Sequence, residues 1–211
     1  GFVSPYRQVS VSAQSGGRIS NLHPSVIDLG TFSKGEVLVQ LDDGSERALL
    51  NQTVANVEAT QARLVLVEAQ LSRTEELRSR GFASQQALDQ LLSQKAELSA
   101  SLNSLIAAQE SASIALKSKQ IVAPFSGAVL EKLQEVGSVV ASGQSIAEIY
   151  TNNQMEVIIP VREAEAALIP GMFEDSTAKA RVNVGFAGQT YQWDAHVSRV
   201  DPALDPRTRT L

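Results

Sequence analysis

The sequence predicts an α+β fold in which a small β-sandwich is divided by a long antiparallel helical hairpin and is followed by a small β-barrel. Three observations favour this fold. An apolar seam with heptad spacing runs through the middle of the chain, similar glycine-rich β patterns flank it, and alternating strand patterns follow from residue 151 onward. With 211 residues, 43% of them hydrophobic, the chain can bury a core outside the hairpin.

The stretch from Ser45 to Ser118 predicts two long helices that fold back on each other. Apolar residues, with a few polar interruptions, recur at spacings that alternate between four and three, which over about four heptads is typical of an antiparallel coiled coil. Each arm would be about 50 Å long. The predicted seam consists of Leu50, Val54, Val57, Gln61, Leu64, Glu68 and Leu71 in the first arm and of Leu91, Lys95, Leu98, Leu102, Leu105, Gln109, Ala112 and Leu116 in the second.

The tip of the hairpin is expected at residues 78–84, because a helix stop is followed there at once by a helix start. Gly81 can adopt the left-handed conformation that ends a helix, and Ser84 can cap the next one. At the base, Asp43 and Glu46 have the spacing of a capping box. Both ends of the hairpin are therefore marked by local signals.

The segments on either side of the hairpin repeat one pattern. Each has a glycine followed by one residue and an aliphatic side chain, then a pair of turn glycines and a short alternating strand. Neither segment can bury an apolar face alone, so we expect the two to pair as halves of one sandwich. These half-motifs are assigned to residues 15–44 and 119–150.

The remaining segments predict a small β-barrel. Short strand patterns separated by glycines occupy residues 151–205, together with a short helix at residues 163–168 and a turn at residues 170–171. Residues 1–14 contain an alternating strand, and we expect this strand to join the barrel.

Composition argues against several classes of function. A net charge of -5, only 5% aromatic residues and the lack of a basic cluster exclude a nucleic-acid-binding module. The chain has no cysteine, which excludes disulfides, thiolate metal sites and thiol nucleophiles. His23 and His196 have no partners at the spacing of a metal site or catalytic triad. We therefore predict that the protein is not an enzyme and has no catalytic, cofactor-binding or metal site.

The chain resembles the membrane fusion proteins, the periplasmic adaptor subunits of tripartite efflux pumps. The likeness rests on the arrangement above and on three segments, residues 123–129, 161–165 and 200–210. It covers nearly the whole chain. It implies a lipoyl-like sandwich split by the hairpin, then a β-barrel, and at residues 206–211 the start of a membrane-proximal domain.

A sharper likeness lies at the hairpin tip. Adaptors that work with a TolC-type outer-membrane channel carry an arginine, a leucine four residues later and a serine seven after that, often with an aspartate five further on. The residues at these spacings are Arg73, Leu77, Ser84 and Asp89. The resemblance implies that they bind the channel. Arg73 and Leu77 lie one helical turn apart, so we expect their side chains to share a face and to point outward with Ser84.

The resemblance also implies partners and a location. The barrel and membrane-proximal end are expected to dock on an inner-membrane transporter, of the resistance-nodulation-division (RND) class rather than the ABC class. We expect a homo-oligomer, with six copies in the pump, located in the periplasm and anchored to the inner membrane by a segment absent from this sequence. Only two methionines are present, which favours export of drugs or other organic compounds over copper or silver. Junctions near Gly44 and at residues 118–122 are expected to act as hinges.

Other interpretations stay open at this stage. The chain could be an adaptor for an ABC-type exporter, or a structural coiled-coil scaffold without a transport role. Lipoyl and biotinyl carrier domains share the half-repeat, but Lys34, the nearest candidate for a cofactor lysine, lacks their flanking pattern. Ordinary structural roles are also open at the tip, with Leu77 as the last core residue, Ser84 as a cap only and Arg73 as a partner of the helix dipole.

Overall fold

The computed structural model describes residues 2–161, 179–186 and 188–198. Two compact units are present. The first, residues 5–154, contains the sandwich and the hairpin. The second combines residues 1–4 with the chain from residue 155 onward.

Two four-stranded antiparallel sheets form the sandwich. A short helix, α1 (Pro24–Ile27), follows β3 and is capped by His23, whose Nδ1 accepts a hydrogen bond from the Ser25 N–H at 3.3 Å. The first sheet contains, in spatial order, β2 (Gln8–Ser12), β9 (Ser145–Tyr150), β7 (Gly127–Lys132) and β4 (Thr31–Phe32). The second contains β6 (Gln120–Val122), β5 (Val37–Leu41), β3 (Gly17–Leu22) and β8 (Val139–Val140).

The two halves of the sandwich exchange a strand. From the first half, β4 pairs with β7 of the second half, with Thr31 opposite Ala128. In return, β8 pairs with β3, with Val140 opposite Gly17. Each sheet is therefore completed by the other half of the repeat. The predicted fold, a split sandwich interrupted by a helical hairpin, is confirmed.

The core between the sheets is aliphatic and draws on both halves. The largest fully buried side chains come from β3, β5, α1, β8 and β9, and they belong to Ile19, Leu22, Val26, Leu38, Val39, Leu41, Val140, Ile146 and Ile149. Because both flanks contribute, the apolar faces that neither half could cover alone are buried together.

The N-terminal segment is divided between the two units, which differs from the prediction that residues 1–14 join the barrel. β2 pairs along its length with β9 of the sandwich, and Val11 and Ala13 are buried in the sandwich core. Without β2, the edge of β9 would be unpaired, and its polar backbone groups would lack partners. The alternating pattern identifies a strand, but it does not identify which neighbour that strand pairs with.

The hairpin consists of α2 (Gly44–Ser79) and α3 (Gln85–Lys117). In α3, every predicted seam position is buried or half-buried. In α2, the prediction is wrong at two positions, since Gln61 and Glu68 are exposed and the buried residues are Thr60 and Val67. The two patterns share every seventh residue and differ only in whether the next contact comes three or four residues later. Glu68 instead pairs with Lys95 across the outside of the seam at 2.9 Å.

The predicted capping box at the base of the hairpin is not formed. Asp43 is the residue before α2, but its side chain makes no cap hydrogen bond and instead pairs with Arg47 at 2.8 Å. Asp42 provides the local hydrogen bond, because its Oδ1 accepts from the Gly44 N–H at 3.2 Å. Glu46 turns to Lys119 at 3.1 Å, a contact outside the helix that a spacing rule does not include.

Leu64→Ala is expected to destabilise the hairpin by about 2–4 kcal/mol, because truncating a buried leucine removes apolar contacts and leaves a cavity. Leu64 is 9% exposed in the seam, whereas Leu66, two residues on, is 60% exposed. Leu66→Ala is therefore the matched control and should change stability by no more than about 0.5 kcal/mol. Urea unfolding followed by far-ultraviolet circular dichroism measures both. Equal effects of the two substitutions would contradict the assignment of Leu64 to the seam.

In the residues described, the second unit contains two two-stranded sheets, which lie in segments that the sequence assigns to the barrel. One pairs β1 (Phe2–Pro5) with β10 (Met155–Ile158), and the other pairs β11 (Lys179–Phe186) with β12 (Gln189–His196) in antiparallel register. On β12, the Tyr191 and Trp193 rings stack with centroids 6.0 Å apart. The predicted short helix at residues 163–168, the turn after it and the family-like ending at residues 200–210 lie outside the described residues.

Candidate functional site at the hairpin tip

The tip is built by a tight helix ending at Gly81. This glycine has a φ of +83°, in the left-handed region that the sequence predicts for it. The Gly81 N–H donates to the Arg78 carbonyl and the Phe82 N–H donates to the Leu77 carbonyl, both at 2.9 Å. This pair of bonds is the Schellman motif, which fixes the residues on both sides of the glycine. Leu77 and Phe82 are therefore held in place by the backbone itself.

The second helix starts as the sequence predicts, with Ser84 as its N-cap. The Ser84 Oγ accepts a hydrogen bond from the Ala87 N–H at 3.2 Å. A hydroxyl has one proton to donate and two lone pairs, so capping leaves the Ser84 O–H proton available for a carbonyl or carboxylate of another molecule. Ser84 is exposed, so such a group can reach it.

Leu77 is not a core residue of the seam. It is 42% exposed, whereas the nearest seam leucines on the two helices, Leu71 and Leu88, are each 8% exposed. Arg73 lies one turn before Leu77 on α2 and is exposed. Within the described chain Arg73 forms no ion pair, although the neighbouring Arg80 pairs with Glu76. Arg73 and Leu77 thus present a cation and an apolar group on the outside of the last turns of α2.

Asp89 is at the same end of the hairpin but is separated from Arg73. Its Oδ1 accepts a hydrogen bond from the Gln85 Nε2 at 2.6 Å, along the first turn of α3. Arg73 follows the buried Leu71 by two residues and Asp89 follows the buried Leu88 by one, so each side chain is rotated away from the opposite helix. The two charges lie on different helices and form no ion pair with each other in the described structure.

Phe82 is a tip residue that the sequence analysis did not select. Its side chain is 80% exposed, and it sits at the turn of the hairpin. An aromatic ring left this open on a monomer is a common feature of contact surfaces. Phe82 could have been selected from the sequence. The residue after a helix-ending glycine often packs against an apolar residue at the third position from the helix end, which here is a leucine.

Lys34 and the two histidines do not form a second site. Lys34 is exposed between β4 and β5, and its N–H donates to the Ser126 Oγ at 2.9 Å. His23 caps α1, and His196 is exposed at the end of β12. Among the residues that the structure describes, no group of three or more His, Cys, Asp or Glu side chains is placed to hold a metal ion.

Comparison with known proteins gives the same architecture along the whole chain. No family model matches. The membrane fusion protein Spr0693 from Streptococcus pneumoniae R6 superposes with a TM-score of 0.68 at 12% identity, over 99% of this chain and 84% of Spr0693. A MacA–MexA chimera carrying the Pseudomonas aeruginosa MexA α-hairpin domain gives a TM-score of 0.65 at 22% identity, over 96% of this chain and 64% of the chimera. These structures establish the fold.

Relatives in sequence extend the match beyond the fold. The multidrug resistance protein MdtA of Yersinia enterocolitica is 25% identical over 222 residues, which cover 100% of this chain and 48% of MdtA. The nodulation protein NolF of Rhizobium meliloti is 26% identical over 214 residues, which cover 100% of this chain and 55% of NolF. The chain is thus similar in sequence to these proteins and similar in fold to a membrane fusion protein.

The chain spans about half the length of the curated relatives that it matches. None of the helices described here has an apolar stretch long enough to cross a bilayer.

Proposed function

We propose that this chain belongs to a membrane fusion protein, the periplasmic adaptor of a tripartite efflux pump, with the hairpin tip as the binding site for a TolC-type outer-membrane channel. The observation that carries the proposal is the exposed pair of Leu77 and Phe82, fixed by the Schellman motif at the end of the hairpin. The name of one relative in sequence, the multidrug resistance protein MdtA, supports the same function.

Three kinds of contact are expected at the tip. The Arg73 guanidinium carries five N–H donors, which suit carboxylates or free carbonyl groups at the ends of channel helices. Leu77 and Phe82 supply the apolar contact that a small interface needs at its centre. Ser84 donates its remaining O–H proton, and Asp89 accepts from a cation or amide of the partner. Because the tip is preformed by backbone hydrogen bonds, binding costs little ordering of the adaptor.

The outer faces of the hairpin support assembly into a homo-oligomer, which we propose to contain six copies. Val65 and Leu66 are 55% and 60% exposed, and Ile106 on α3 is 45% exposed. Val65 and Leu66 are consecutive in α2, so their side chains diverge by about 100° and point to different sides of the hairpin. A subunit with apolar contacts on two sides can join two neighbours and close a ring.

We propose that the barrel and the membrane-proximal region dock on an inner-membrane transporter of the RND class. An ABC-type exporter is the alternative. Only two methionines, Met155 and Met172, are present in the chain, which favours drugs or other organic compounds over copper or silver as cargo. Co-purification of the full-length protein with its transporter distinguishes the two classes.

Crosslinking in intact cells tests the docking site. The chain has no cysteine, so a single cysteine placed at Leu77 or Ser84 of the full-length protein can carry the probe, provided that cysteines outside these residues are replaced. A bifunctional crosslinker should capture an outer-membrane channel, identified by mass spectrometry. Adding Arg73→Asp should remove that capture, because a carboxylate replaces the cation at the contact.

A cysteine at Ile114 is the control. Ile114 is 61% exposed, more than Leu77, but lies near the base of α3. It should capture no channel. Capture of adaptor copies alone from the tip positions would instead favour a self-assembling scaffold.

A further inference from the structure

Lys119 is a buried cation at the root of the hairpin. Only 8% of the residue is exposed, and it is one of four polar or charged residues that are buried in the described parts of the chain. It lies in the two-residue link between the end of α3 at Lys117 and the start of β6 at Gln120. Lys119 is not part of the proposed docking site, which lies at the other end of the hairpin.

Three separate segments of the chain contact Lys119, two through its side chain and one through its backbone carbonyl. The Lys119 Nζ donates to the Gly16 carbonyl of the β2–β3 turn at 2.8 Å and contacts the Glu46 Oε1 in the first turn of α2 at 3.1 Å. The Lys119 carbonyl accepts from the Leu41 N–H at the end of β5, also at 2.8 Å. Lys119 therefore joins both helices of the hairpin to the sandwich.

A buried ammonium group is stable only when its donors are satisfied, because water no longer solvates the charge. The Gly16 carbonyl and the Glu46 carboxylate are the partners of the Lys119 ammonium group. A hydrogen bond from the Ser45 hydroxyl, the backbone N–H of Glu46 and the contact with Lys119 all lower the pKa of the Glu46 carboxyl, so Glu46 is ionised at neutral pH. Any rotation of the hairpin on the sandwich would pull Nζ from one of its two partners and leave a buried charge incompletely paired.

We propose that Lys119 is a positioning residue that fixes the direction of the hairpin relative to the sandwich. The links between sandwich and hairpin are short, with residues 42–43 on one side and 118–119 on the other. The sequence predicts hinges at these links. On this proposal the ion pair between Lys119 and Glu46, whose side chains are 10% and 22% exposed, holds these links in one arrangement, and the hairpin swings only where Nζ is released. This inference concerns the chain itself and does not depend on the proposed efflux function.

Spin-label distance measurements test the proposal in the full 211-residue chain. Cysteines at Ala69 on α2 and Glu131 on β7, both exposed, carry the labels, and no native cysteine interferes. The labelled protein with no further substitution should give one narrow distribution of the distance between the two labels. Lys119→Met keeps most of the side-chain volume but removes the charge, and it should broaden the distribution by about twofold or more. Lys119→Arg, which restores the cation, should recover most of the narrow distribution.

Arg47→Gln is the matched control, because Arg47 also forms an ion pair at the root, with Asp43 at 2.8 Å. The Arg47 side chain is 65% exposed and its pair lies within one turn of α2, so its loss should leave the distribution unchanged. If Lys119→Met does not fold, Glu46→Ala removes one partner of Nζ and should also broaden the distribution. Narrow distributions in the folded Lys119→Met or Glu46→Ala variants, even with a lowered melting temperature, would show a purely stabilising role and overturn the proposal.

Discussion

Leu77→Asp in the full-length protein is expected to reduce drug export to the level of cells without the adaptor. Leu77 is 42% exposed, so the substitution leaves the hairpin folded, with an unchanged circular dichroism spectrum. It places a carboxylate where the proposed interface is driest, and truncation of such central residues commonly costs 2 kcal/mol or more, which is about a thirtyfold loss of affinity. Drug susceptibility of the complemented strain, together with tip crosslinking, measures the effect.

Ile114→Asp provides the matched control for this prediction, since it puts the same charge on a more exposed apolar residue near the base of α3. It should leave export close to that of the unmodified protein. Phe82→Ser should resemble Leu77→Asp, because the proposed apolar contact uses both residues. Full export by the Leu77 and Phe82 variants would show that the tip is not the docking site, and it would favour the scaffold interpretation.

Gly127→Ala is expected to destabilise the sandwich by about 3 kcal/mol or more, which is a large fraction of the stability of a typical domain. A Cβ at this position would lie 2.0 Å from the Tyr150 carbonyl oxygen and 3.3 Å from the Phe125 ring. Tyr150 cannot move away freely, because β9 is paired on both of its edges, with β2 and β7. Thermal unfolding of the purified variant measures the loss.

Gly17 supplies the control for Gly127, because it begins the corresponding strand of the other half-repeat. A Cβ at Gly17 would lie 3.4 Å from the Lys119 Nζ and 3.6 Å from the Leu41 Cβ, which are ordinary contact distances. Gly17→Ala should therefore change stability by no more than about 1 kcal/mol. If the two alanine variants unfold at the same temperature, the close approach of the Tyr150 carbonyl does not explain the glycine at position 127.

Local signals in the sequence predicted the hairpin well. A glycine that needs a positive φ and a serine that caps the next helix act within a few residues, and Gly81 and Ser84 behave in the structure as their neighbours in sequence predict. The repeat that flanks the hairpin could also be recognised from the sequence, because its turn glycines and short strands recur at similar spacings. The pairing of its halves followed from the need to cover two apolar faces at once.

Features that depend on distant contacts were not predictable in the same way. The alternation of residues 8–12 shows a strand, but its assignment to the sandwich is decided by the unpaired edge of β9, more than a hundred residues away. The choice of Val67 over Glu68 as a seam residue depends on how α3 packs against α2. Likewise, a lysine in a short link gives no sign that it is buried, since its partners Gly16 and Glu46 come from different segments.

The exchange of strands between the two half-repeats sets an order for folding during synthesis. Gly17 pairs with Val140 and Thr31 with Ala128, so the early strands must wait until almost the whole sandwich sequence has left the ribosome. The hairpin has no such delay, because α2 and α3 follow each other directly. Once formed, it brings residues 43 and 119 together and shortens the search of the waiting strands for their partners. We therefore expect the hairpin to form before the sandwich that it divides.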